Sequence, residues 1–164
     1  MITLEQIQDK YQDYAPVPII DIANELGLKI YETDDLKDNE SGLIKKEGDN
    51  YVIYVNESHA PTRKRFTIAH EIVHFLKHKD VLDEEYVTNS KQSLSREDGQ
   101  ELTEEQEKIE VEANKIAAKI LMPKVKFIEI WRKSKTIEEV ASQFKVSIGA
   151  ATIRASRLLG ETII

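Results

Sequence analysis

The chain has 164 residues, of which 40% are hydrophobic and 32% charged, and its formal net charge is −7. This composition predicts one globular domain with a buried core and excludes collagen-like, coiled-coil and wholly disordered proteins. The absence of cysteine excludes disulfides and a cysteine nucleophile, so any transition metal must be bound by His, Asp or Glu. Neither an export signal nor a run of about 18 apolar residues occurs, which predicts a cytoplasmic protein without a membrane span.

Charge is unevenly distributed along the second half of the chain. Residues 79–112 carry 12 acidic and 4 basic side chains, whereas residues 113–160 carry 3 acidic and 10 basic ones. Such a pattern suits contact with nucleic acid, but it equally suits an acidic loop that folds back against basic helices.

The first 60 residues predict two short helices followed by a small antiparallel sheet. The second helix begins at Pro18 and ends before Gly27, as the preferences of helix termini require. Residues 47–50 form a turn cluster that joins two strands into a hairpin. The predicted helices cover residues 4–11 and 18–26, and the predicted strands cover residues 28–32, 42–46 and 51–56.

From Pro61 onward the pattern becomes helical. The helix that begins at Pro61 is apolar on most of its circumference, so we expect it to be central. Residues 79–103 are polar and predict a loop, which we interpret as a regulatory flap over a cleft. Further helices are predicted over residues 103–121, 125–133, 136–144 and 147–159, the first of them opened by a capping box between Thr103 and Gln106.

The most informative motif is His70-Glu71-Ile72-Val73-His74, an H-E-x-x-H sequence inside the central helix. Four-residue spacing places both imidazoles on one helix face, where they can bind one ion. Zinc in such a site lowers the pKa of a bound water, and Glu71 is positioned to take its proton. The alternative is an ordinary helix whose histidines are satisfied by hydrogen bonds in the core. Burying two imidazoles and a carboxylate is costly without coordination, which favours the zinc interpretation.

A third ligand is expected from the helix at residues 103–121. Glu110 and Asn114 share a face, so Glu110 can bind the metal while Asn114 hydrogen-bonds a ligating histidine. Glu112 is the alternative ligand, although it has no such partner one turn on. His78 is a less suitable third ligand because three successive helical turns span roughly 12 Å. We expect His78 to lie at the surface or to support a ligand, and His59 to be a loop residue.

These residues resemble a known family. The segment from Arg65 to His74, together with Glu110-x-x-Ala113-Asn114 and the alanines that follow, is similar to the ImmA/IrrE family of zinc metallopeptidases, which are gluzincin-like. The resemblance covers about residues 16–160. It implies an α+β, zincin-like fold with a small sheet beside the H-E-x-x-H helix. It also implies a metallopeptidase domain over residues 1–123 and a C-terminal helix-turn-helix-like segment, residues 124–164, packed on it.

The resemblance further implies an endopeptidase that uses Zn²⁺ and cleaves a transcriptional repressor, so that the partner is a helix-turn-helix protein. An extended substrate is expected to pair with the strand at residues 51–56 as an edge strand. The donor that stabilises the oxyanion is left open among Tyr51, Tyr54, Tyr86 and His59.

The alternative function is a regulator that contains the metal but has no proteolytic activity. Residues 137–157 read as a helix-turn-helix in which Lys145 occupies the turn position where glycine is common. In this alternative, DNA is contacted by Ser147, Thr152, Arg154 and Arg157, and its phosphates are contacted by Lys133 and Lys135.

Overall fold

The fold is α+β in the computed structural model, which describes residues 1–81, 86–89 and 102–160. The helices are α1 (Leu4–Lys10), α2 (Ile19–Glu25), α3 (Pro61–Lys77), α4 (Glu104–Leu121), α5 (Lys124–Lys133), α6 (Ile137–Phe144) and α7 (Ile148–Gly160). The strands are β1 (Lys29–Thr33), β2 (Glu40–Glu47), β3 (Asn50–Asn56) and β4 (Tyr86–Asn89). The bounds of the helices and of β1 to β3 lie close to the predicted ones, whereas β4 was not predicted.

Local sequence explains where the main helices begin. Thr103 caps α4 by accepting a hydrogen bond from the backbone of Gln106, whose side chain bonds back to the Thr103 backbone. This reciprocal pair satisfies two amide groups that a helix start leaves unpaired. Pro61 occupies the first turn of α3, where its missing amide hydrogen is not needed. The predicted capping box at Thr103 is therefore confirmed.

The sheet is mixed, whereas the sequence predicted an antiparallel one. The strand order is β1-β3-β2-β4, with β1 parallel to β3 and the other two pairings antiparallel. The β2–β3 hairpin was predicted, but β1 pairs with the far side of β3. Residues 51–56 therefore lie in a central strand, and the prediction that they form an edge is wrong. Hairpin sequences specify only adjacent pairing, so they cannot reveal which strand joins the other side.

The predicted loop at residues 79–103 contains regular structure in its described part. One turn of 3-10 helix covers Lys79–Val81, and β4 adds a fourth strand beside β2. Residues 82–85 and 90–101 lie outside the described residues. The flap interpretation therefore stays a prediction for that part of the chain.

Close contact between β2 and α3 brings the sheet against the central helix. A β-carbon at Gly42 would lie 2.5 Å from the carbonyl oxygen of Tyr54 and 2.6 Å from the Thr67 side chain. Only glycine fits at position 42, between β3 and α3, without a shift of the backbone. Helix α3 also contacts α4, where Ala113 and Ala117 are fully buried and allow the two helices to approach closely.

Two arginine side chains form hydrogen bonds between the C-terminal helices and the rest of the chain. Arg65 of α3 donates a hydrogen bond from Nε to the carbonyl of Lys145 at 3.2 Å. Arg154 of α7 donates from Nε to the carbonyl of Met122 at 3.0 Å. The division into domains at residue 123 stays a prediction. Among the described helices, none has the length and apolar character needed to cross a membrane.

Candidate metal centre

His70 and His74 lie in the buried middle of α3, and each side chain is only 1% exposed. Because they are one helical turn apart, their imidazoles point in the same direction. Their Nε2 atoms are 2.9 Å from each other. Two buried ring nitrogens therefore converge on one point.

Glu110 of α4 completes this cluster. Its two carboxylate oxygens lie 3.1 Å from Nε2 of His70 and 2.9 Å from Nε2 of His74. Within the described residues, these three are the group of potential ligands whose donor atoms all lie within 4.8 Å of one another. The α3–α4 packing thus brings together the histidines and the carboxylate that the sequence singled out.

The three donors fit a zinc ion. Nitrogen and carboxylate oxygen are ligands that zinc prefers, and catalytic sites of this type use three protein ligands. A tetrahedral ion with bonds of about 2.0–2.1 Å needs its ligand atoms about 3.4 Å apart. The observed separations of 2.9 to 3.1 Å are slightly smaller. A small outward movement of the side chains is enough to accommodate the ion.

Electrostatics within the cluster favour the anionic carboxylate. Burial alone would raise the pKa of Glu110, but hydrogen bonds with His70 and His74 hold that pKa well below its usual range. Burial also disfavours a charged His70, but the hydrogen bond and charge of Glu110 outweigh it and raise the pKa of His70. Burial lowers the pKa of His74 to about 4.

Asn114 lies on the opposite side of the His70 ring. Its side-chain oxygen is 2.8 Å from Nδ1 of His70. Because that oxygen is only an acceptor, Nδ1 of His70 donates the bond, which leaves Nε2 with a lone pair in the neutral ring. A metal ligand needs this tautomer at Nε2.

His78 and Glu112 lie behind His74. Nδ1 of His74 is 3.0 Å from Nδ1 of His78, and Nε2 of His78 is 3.1 Å from a carboxylate oxygen of Glu112. Lys77 contacts the same oxygen at 3.0 Å. Glu112 is thus tied to His78 and Lys77 rather than to the three-residue cluster. Sequence reasoning missed this contact of Glu112, although the spacing of His74 and His78 was a usable signal.

Glu71 is fully buried in the same helix segment. Its charge contributes to raising the pKa of His70, which places it electrostatically close to that ligand candidate. A carboxylate between two potential ligands in the H-E-x-x-H motif is suited to exchange a proton with a water at the metal.

Three of the four candidate oxyanion donors make contacts with residues outside the metal-ligand cluster. The hydroxyl of Tyr54 donates to Glu47 at 2.7 Å, and Nε2 of His59 lies 2.9 Å from the carbonyl oxygen of Asp38. The ring of Tyr51 packs edge-on against Phe75 of α3. The side chain of Tyr86 lies outside the described residues. None of these contacts selects a donor, so the oxyanion residue stays open.

The candidate DNA-contacting side chains of the C-terminal helices are largely bonded within the chain. Arg154 is only 7% exposed, so it is not available to read a base. Ser147 caps the start of α7 by accepting from the Ala150 backbone, and Thr152 donates to the Ile148 carbonyl. Arg157 lines a groove of about 620 Å³ between α1, α4, α5 and α7. The expectation that Arg154 contacts DNA is therefore wrong.

Two histidines on one helix and a glutamate on the next, beside a small sheet, define a zincin-like class of metallopeptidase folds. The comparison with family profiles agrees, because the profile of the peptidase M78 family, described as the IrrE N-terminal-like domain, matches residues 23–156. The chain belongs to this family, as the resemblance predicted. No curated protein shows a significant sequence match to the chain.

Solved structures share the fold. One of them, described as a Mycobacterium tuberculosis transcriptional regulator, superposes with a TM-score of 0.60 at 16% sequence identity. The match covers 93% of this chain but only 46% of that one, so this chain spans less than half the length of its structural relative. At this identity the similarity establishes the fold alone.

Proposed function

We propose that this protein is a zinc-dependent endopeptidase that cleaves a helix-turn-helix transcriptional repressor. The observation that carries the proposal is the convergence of His70, His74 and Glu110 in a member of a peptidase family. The repressor as substrate rests on the family resemblance. A cytoplasmic location follows from that substrate.

His70, His74 and Glu110 would hold the ion, and Asn114 would orient the ring of His70. When bound, zinc supplies Lewis-acid chemistry, polarising a carbonyl oxygen and making water acidic enough to ionise near neutral pH. Glu71 takes the proton of the attacking water and passes it to the leaving amine of the cleaved peptide bond. Burial of the site excludes bulk water and strengthens these electrostatic interactions.

The extended substrate is expected to align by backbone pairing with an outer strand. Because β3 is central, such pairing falls to β1 or β4, the outer strands of the described sheet. Backbone pairing needs no particular side chains on the substrate, so it is compatible with cleavage of a flexible segment in a folded repressor.

The test is cleavage of the repressor encoded beside this protein by the zinc-loaded wild type and by Glu71→Gln. We expect the variant to bind zinc normally but to lose at least about 100-fold in cleavage rate, because it keeps the ligands and loses the base. Equal cleavage by both proteins would contradict the role of Glu71. Regulatory function that survives in Glu71→Gln but fails on charge reversal at Arg157 would instead support the DNA-binding regulator without proteolytic activity.

A further inference from the structure

We propose that His78 and Glu112 are positioning residues that hold His74 in the tautomer whose Nε2 faces the metal. The inference rests on the zinc site proposed above. It assigns a function to a buried histidine and a half-exposed glutamate that lie outside the three-residue cluster of His70, His74 and Glu110.

Glu112 sets the direction of the hydrogen bonds that run from His74 through His78 to its carboxylate. An ionised carboxylate only accepts hydrogen bonds, and Glu112 pairs with the ammonium group of Lys77 at 3.0 Å as well as with His78. Nε2 of His78 must therefore donate to Glu112. In a neutral imidazole the other nitrogen then accepts, so Nδ1 of His78 accepts from Nδ1 of His74.

This direction fixes the ring of His74. With its hydrogen on Nδ1, the neutral ring in the zinc-loaded protein would carry its lone pair on Nε2, the atom that lies 2.9 Å from Glu110. The two ligand histidines are thus oriented by different means, His70 by an amide oxygen and His74 by a second histidine backed by a carboxylate. Partners of this kind fix ring orientation and make the ligand nitrogen more basic.

The helices explain why this arrangement is available. His74 and His78 are one turn apart on α3, so their rings are neighbours with centroids 5.1 Å apart. Glu112 stands two residues after Glu110 on α4, which places it on a different side of that helix from the ligand carboxylate. The contact between α3 and α4 therefore supplies both the ligand Glu110 and Glu112, the residue that holds His78 against His74.

The test measures zinc affinity by competition with a chromogenic chelator. His78→Phe removes the acceptor for His74, and we expect zinc affinity to weaken about 10- to 100-fold. His78→Gln offers a side-chain oxygen as the acceptor, so it should retain most of the affinity. Glu112→Ala should show an intermediate loss. Lys77→Gln is the matched control because it removes the other contact of Glu112, and it should behave like wild type.

A second measurement observes the hydrogen on the His74 ring directly. In the zinc-loaded, 15N-labelled wild type, NMR should show a slowly exchanging proton on Nδ1 of His74, and His78→Phe should lose this protection. An unprotected proton, or His78→Phe with unchanged zinc affinity, would overturn the proposal. Failure of zinc to bind the wild type would instead refute the metal site itself, so the two failures are distinguishable.

Discussion

At the scale of single residues, zinc and protons would compete for the same atoms of the candidate metal centre. Glu110 raises the pKa of His70 while burial lowers that of His74, so the two imidazoles differ in how readily they take up a proton. Metal ligands bind only in their deprotonated form. The apparent affinity for zinc therefore depends on pH near neutrality.

We expect zinc affinity to fall as the pH drops below the raised pKa of His70, by up to about tenfold per pH unit for one displaced proton. The fall should begin above 6.5, the ordinary pKa of histidine. Calorimetric titrations in buffers of different ionisation enthalpy measure the proton released per zinc. An affinity that stays constant between pH 6 and 8 would contradict this coupling.

Site residues differed in how far the sequence could predict them. The H-E-x-x-H spacing is local, so it predicted that His70 and His74 share a helix face. Glu110 was preferred over Glu112 because it had Asn114 one turn on, and the structure places Asn114 against His70. The contact of Glu112 with His78 depends on how α3 and α4 are rotated against each other, which no local pattern specifies.

At the scale of secondary-structure elements, the α6–α7 turn contains a strained residue. Lys145 has φ +52°, a left-handed conformation that costs a residue with a β-carbon about 1–2 kcal/mol. The sequence already marked this position as one where glycine is common. The backbone amide of Val146 then bonds to the Ala141 carbonyl and closes the helix end.

We expect Lys145→Gly to raise the free energy of unfolding by about 0.5–1 kcal/mol, since relief of strain exceeds the added entropy of the unfolded chain. Chemical denaturation measures the change. Lys145→Ala is the control, because alanine keeps the β-carbon and should leave stability nearly unchanged. If glycine destabilised the protein, this account of the turn would be wrong.

Elements were predicted better than their arrangement. Capping residues, turn clusters and apolar periodicity specify where a helix or strand begins and ends, so the helix bounds were nearly right. The position of β3 between β1 and β2 and the addition of β4 depend on contacts between distant segments. The sequence therefore predicted a sheet, but neither its mixed character nor its edges.

At the scale of the whole molecule, the candidate site exists only in the folded chain. The histidines and the glutamate come from two helices separated by the sheet strand β4 and by residues outside the described part. Close packing of α3 against α4 through small residues brings the three donors together. Zinc bound there would link the two helices, so its binding energy would add to the stability of the fold.

The measurement that tests the central claim most directly is a calorimetric zinc titration of the wild type, Glu71→Gln and His74→Ala. We predict one zinc per chain for the wild type and for Glu71→Gln, because Glu71 is a base and not a ligand. His74→Ala should remain folded by circular dichroism and bind zinc at least about 100-fold more weakly. A wild type that binds no zinc, or a His74→Ala variant that binds it as tightly as wild type, would contradict the account.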